Sequence, residues 1–155
     1  MSREQQDQWR WLGGFRLAVS LTLLFTLMGL LASAYQSHRG AAQVAALTEL
    51  VGQFGERSQR LHGLWLMGQR PPVLRAEGRL WYFSANGWPN GVDGMAPDPC
   101  PALWQALIGR RDLDGEPLSL NLRAQGCEIG LGAVRWYYDW RTGAVRQTEG
   151  DEVQR

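Results

Sequence analysis

With 155 residues and a formal net charge of +1, the chain has room for one modest core and no charge surplus that would recruit nucleic acid or an acidic ligand. All 16 basic residues are arginines, scattered rather than clustered, which reads as compositional bias and not as an anion site. P-loop, GxGxxG and HExxH motifs are absent, and His38 and His62 have no Ser, Cys or Asp arrangement suggesting a triad, so no catalytic residue and no cofactor is assigned.

Residues 1–16 read as a short cytoplasmic N-terminus. Leu17 to Tyr35, LAVSLTLLFTLMGLLASAY, then runs without a charge. A helix of that length reaches roughly 28 Å at about 1.5 Å per residue, close to a hydrocarbon thickness of about 30 Å, so 17–35 is expected to be one transmembrane helix. Arg3, Arg10 and Arg16 precede it and only Arg39 follows closely. The positive-inside rule therefore leaves the N-terminus in the cytoplasm and residues 36–155 outside the cytoplasmic membrane. Trp9 and Trp11 before the span and Tyr35 after it are interfacial aromatics. Two processing sites compete with an uncleaved anchor. Ala32-Ser33-Ala34 is an A-x-A sequence, and Gly14-Phe15 has the residues between which prepilin peptidase cuts, although Val19 stands where pilins carry a glutamate. The expectation is an uncleaved anchor.

Residues 36–69 follow as an amphipathic helix. Val44, Leu47, Val51, Phe54, Leu61 and Trp65 keep three-four spacing, with Ser58 the single lapse. Such a stripe needs a cover, either a second helix or the chain's own sheet, and a β-rich remainder that needs one face covered favours the sheet.

Arg70-Pro71-Pro72 ends the helix, and 70–150 is expected to be a β-rich domain with a frayed tail at 151–155. Val73 to Glu77 and Arg79 to Ser84 read as strands around Gly78, Asn86-Gly87 as a turn, and Pro89 to Pro99 as loop. Cys100 to Ile108 has helical spacing, with Pro101 in the first turn, Gly109 past the end and Asp98 as a candidate cap. Leu118, Leu120 and Leu122 alternate with Ser119, Asn121 and Arg123. After Gln125-Gly126 the chain returns through Cys127 and Ile129, and Val134, Trp136, Tyr138 and Trp140 share a face opposite Arg135, Tyr137 and Asp139. Ala144 to Thr148 then forms an edge strand. The fold class is α+β: a long N-terminal helix, transmembrane then amphipathic, packed on an antiparallel sheet of four to six strands in a pilin-like arrangement with one short helix.

Cys100 and Cys127 both fall outside the membrane on this topology. An even cysteine count in a small domain in an oxidising compartment argues for a disulfide stabilising by roughly 3 to 4 kcal/mol. Asp93, Asp98, Asp112, Asp114 and Glu116 lack EF-hand spacing and read as solvated loop charges, so no metal is assigned. Trp81, Trp88, Trp104, Trp136 and Trp140 would suit pyranose stacking but are better read as core, with Trp88, between Gly87 and Pro89, the most exposed and the first candidate for a partner contact.

These residues carry a resemblance. A membrane helix, an amphipathic continuation ending in LHGLWLMGQ, N-G-W-P at Asn86 to Pro89, C-x-x-L-W-x-x-L from Cys100 to Leu107, and Cys127 before an aromatic hairpin are together similar to the MshF family. That family belongs to the biogenesis machinery of the mannose-sensitive haemagglutinin (MSHA) pilus, a type IV pilus of aquatic Gram-negative bacteria. The resemblance implies a non-enzymatic inner-membrane component of pilus assembly with a periplasmic domain. Its implied partners are pilins, the inner-membrane platform and an assembly ATPase on the cytoplasmic side; apart from the resemblance, neither nucleic acid, on the charge balance, nor a small-molecule ligand is expected. On this reading the stripe from Val44 to Trp65 holds the chain beside pilin helices. The alternatives are a minor pilin or pseudopilin incorporated in the fibre, and an anchored module binding glycan through exposed aromatics. Trp81 and Trp88 open together in a groove would favour the module; an exposed apolar stripe on the long helix would favour assembly.

Overall fold

The computed structural model describes residues 3–148, and of residues 3–13 and 37–39 the backbone alone. The tail expected at 151–155 and the side chains of Trp9, Trp11 and His38 lie outside the described residues. The chain divides into two units, Met1–Ala42 and Gln43–Arg155, and helix α1 (Arg3–Met67) contributes to both.

In the first unit the large apolar side chains from Phe15 to Tyr35 are 42–70% exposed, where a soluble helix would bury one face. Among the described residues this is the one helix long and apolar enough to cross a membrane. Its two threonine hydroxyls are satisfied within the helix, Thr22 donating to the carbonyl of Ala18 at 2.7 Å and Thr26 to that of Leu23 at 2.9 Å.

The second unit is α+β. β1 (Val73–Ala76), β2 (Arg79–Phe83) and β3 (Pro89–Val92) form a three-stranded antiparallel sheet. Helix α2 (Cys100–Ile108) follows, then a small hairpin of β4 (Asp112–Leu113) and β5 (Glu116–Pro117). β6 (Ser119–Arg123), β7 (Gly126–Leu131), β8 (Val134–Asp139) and β9 (Ala144–Thr148) complete it as a four-stranded antiparallel meander. The single sheet expected from sequence is therefore corrected to two sheets and a hairpin.

The loop expected at Pro89 to Pro99 is in part a strand. Its proline content suggests loop throughout, yet its first four residues form β3. Proline at the first position of an edge strand gives up no ladder donor, and a register shift at Tyr82/Phe83 lets Phe83 pair with Pro89. The Tyr138 hydroxyl donates to the Pro89 carbonyl at 2.9 Å, tying the first sheet to the second.

The short helix forms where its spacing predicts. Gly109 ends it at φ 84°, donating its N–H to the Gln105 carbonyl at 3.0 Å. Pro99 takes the capping position, and Asp98, one residue earlier, accepts the Cys100 N–H at 3.0 Å. At the other end the Arg57 guanidinium donates to the Leu107 carbonyl, placing a cation where the helix dipole is negative.

The core gathers between α1, α2 and the inner face of the meander. Leu47, Val51, Phe54, Leu61 and Trp65 from α1 are buried there with Trp81, Trp104 and Tyr138. Phe54 stacks on Trp104, with ring centroids 5.4 Å apart, and meets Tyr138 edge-on at 5.0 Å. Each such side chain contributes on the order of 1.5–3 kcal/mol by leaving water.

Candidate interaction surfaces

Near the carboxyl-terminal end of α1, His62 and Trp65 are three residues apart and so lie on one face of the helix. The turn after β2 comes to that face. Gly87, at φ 81°, donates its N–H to the Ser84 carbonyl at 2.9 Å and closes the turn. A side chain at Gly87 would strike the Trp65 ring, its Cβ falling 2.1 Å from Cε3, so only glycine fits. Its carbonyl meets His62 Nδ1 at 2.8 Å, which fixes the ring orientation. Trp88 then lies flat on His62, with centroids 4.2 Å apart, and His62 stacks on Trp65 at 5.5 Å.

A second turn, from Asp139 to Gly143, closes the other side. Gly143 sits against Trp88, where a Cβ would fall 2.3 Å from the indole. Ser84 Oγ donates to the Trp140 carbonyl at 2.6 Å and Asn86 Nδ2 to the Arg141 carbonyl at 2.7 Å, so the turns hold each other. Asp139 organises the second one. Its carboxylate accepts the Arg141 N–H at 2.8 Å and the guanidinium at 3.1 Å. Burial pushes the Asp139 carboxyl up, but the hydrogen bonds and charge of Arg141 outweigh this and hold it below the usual carboxylate value.

Trp88 is thus half-buried, stacked on His62 and closely approached by Gly143, so it is less open than its place in a turn suggests. Trp81 is 1% exposed, so the two do not open into a groove. The stripe fares similarly. Leu47, Val51, Phe54, Leu61 and Trp65 are at most 7% exposed inside their own domain, and Ser58, the lapse, is fully buried among them. Only Val44, at 40% exposure, faces outward. The stripe is occupied by the chain's own core, as its pairing with a sheet requires, and is not an open face for a pilin helix. Neither discriminating feature, open groove or open stripe, is present among the described residues.

Cys100 and Cys127 are bonded, with Cα atoms 5.6 Å apart, joining the start of α2 to β7. The acidic residues are dispersed. Asp93 pairs with Arg79 at 2.7 Å and accepts the Leu80 N–H; these bonds hold its carboxyl below the usual value. Asp114 and Gly115, both at positive φ, are the turn of the β4–β5 hairpin, so the D-G dipeptide among these loop charges is a turn signal. Among the described residues no group of three or more His, Cys, Asp or Glu side chains is placed to hold a metal ion.

The meander's outer face is the surface that composition concealed. Register puts Asn121, Glu128, Tyr137 and Arg146 in one row, with Arg135 and Arg123 in the rows on either side. Arginines far apart in sequence therefore share one face.

No protein-family model, no curated protein and no solved structure matches this chain.

Proposed function

We propose that the chain is a single-pass inner-membrane protein with its N-terminus in the cytoplasm, and that its disulfide-closed domain makes protein contacts in the periplasm as a non-enzymatic component of type IV pilus biogenesis of the MSHA kind. The observation that supports it most is the pairing of an apolar, outward-facing helix at Phe15–Tyr35 with a domain closed by Cys100–Cys127. Arginines on the N-terminal side favour this orientation, and a disulfide belongs in the oxidising compartment on the other side.

The pilus assignment rests on the resemblance. The residues that carry it, LHGLWLMGQ and N-G-W-P, meet in the His62, Trp65, Gly87 and Trp88 stack. They serve folding, so they support likeness of structure more than any binding role.

The experiment is genetic. Removing the chain from its own cell should abolish surface pili, and the full chain should restore them while a form lacking residues 17–35 should not. Normal piliation without the chain would remove the pilus assignment.

A further inference from the structure

We propose that the outer face of the β6–β9 meander binds an acidic polypeptide segment. Three arginines reach this face from three strands: Arg123 on β6, Arg135 on β8 and Arg146 on β9. Opposing them are Glu128, whose side chain is 12% exposed, and Asp139, already held by Arg141. Arg123 is 3.7 Å from Glu128 with its side chain 52% exposed, leaving most of its donors open to solvent. Arg146 is exposed, and Arg135 commits one nitrogen to the Gly132 and Val134 carbonyls. The face therefore has a surplus of guanidinium donors, the groups best shaped for bidentate bonds to carboxylates.

Two glycines leave room on this face for neighbouring side chains. β7 presents Gly126 and Gly130 outward, and Tyr137 and Arg135 lie across them where a Cβ would clash at 2.6 and 2.9 Å. Tyr and Arg are the side chains that dominate contact energies at protein interfaces. From strand spacing and register, Arg123 and Arg146 are on the order of 16 Å apart, a span of about five residues of extended chain. The occupant is a peptide rather than a glycan because Arg146 lies 5.7 Å over the Tyr137 ring and covers the face a sugar would use. Glu128 at the centre opposes a uniformly anionic surface such as a lipid bilayer, whereas a peptide can place an amide there.

This inference rests on the reading that the domain works through protein contacts. It does not depend on the pilus assignment, and the assay on the purified chain can fail or succeed whatever piliation shows. Full-length protein in phosphatidylcholine nanodiscs is titrated with a fluorescent decapeptide of alternating glutamate and threonine. Saturable, salt-sensitive binding is expected. The double variant Arg123→Gln/Arg146→Gln should weaken it roughly tenfold or more, and Arg123→Lys/Arg146→Lys should give an intermediate loss. Arg110→Gln/Arg111→Gln, which removes the same charge elsewhere, should change it less than about twofold. Unchanged melting temperatures show that the variants are folded, and all four sites are exposed. The proposal is overturned by absent binding, by equal losses in the two glutamine variants, or by tighter binding of phosphatidylglycerol vesicles or of an anionic polysaccharide than of the peptide.

Discussion

His62 lies flat against Trp88, their ring centroids 4.2 Å apart and their planes 5° from parallel. The contact joins α1 to the turn after β2, and both rings are fixed from outside, His62 by the Gly87 carbonyl and Trp88 by Gly143. Two glycines thus set the geometry of a ring stack.

Gly87→Ala should therefore be among the costliest small substitutions in the chain. The added Cβ meets the Trp65 ring, and φ of 81° suits glycine alone. Overpacking and backbone strain together should lower stability by about 3 kcal/mol. Gly63→Ala, with open space around it on the same helix, should raise stability by about 0.5–1 kcal/mol. Urea midpoints of the two variants check both signs.

Ser58 interrupts the stripe and is fully buried, and its hydroxyl lies beside that of Tyr138, which donates to the Pro89 carbonyl, without a well-aligned hydrogen bond of its own. Ser58→Ala removes a poorly paired buried polar group at little cost in volume. It should stabilise the domain by about 1 kcal/mol, read as a higher melting temperature; a lower one would mean that the hydroxyl is bonded in solution.

Leu47 and Phe54 are 0% and 1% exposed. Replacing either by Asp buries a carboxylate without a partner, so the domain should unfold rather than lose a partner contact. Loss of near-ultraviolet circular dichroism in Phe54→Asp, with the protein still in the membrane fraction, is the expected outcome.

Asp139 sets an acid limit. Its folded pKa lies below the ordinary 3.8 because of Arg141, so its contribution is present at neutral pH and is lost as pH falls through the folded value. The stability difference between the parent chain and Asp139→Asn should shrink between about pH 5 and pH 2. A constant difference would assign the effect to turn geometry rather than charge.

Much of the fold is legible in the sequence where periodicity and turn chemistry agree. The apolar run, the Leu47 to Trp65 stripe and the Cys100–Ile108 helix with its αL glycine all carry local signals strong enough to place them. β3 was not legible, because Pro89 and Asn90-Gly91 read as loop and only the pairing with β2 makes them a strand. Trp88 in a turn looked exposed because nothing local announces that α1 brings His62 to it. The arginine face was concealed for the same reason: register gathers Arg123, Arg135 and Arg146, and register comes from long-range pairing.

The central claim is that the chain stays in the membrane, anchored by an uncleaved helix, and carries an oxidised domain outside the cytoplasm. Intact mass and N-terminal sequence of the protein recovered from membranes and from sheared pili test it most directly. The account predicts uncleaved protein, lighter by two hydrogens than the reduced chain, in the membrane fraction only. A chain beginning at Phe15 and recovered from the fibre would contradict it and make the protein a pilus subunit.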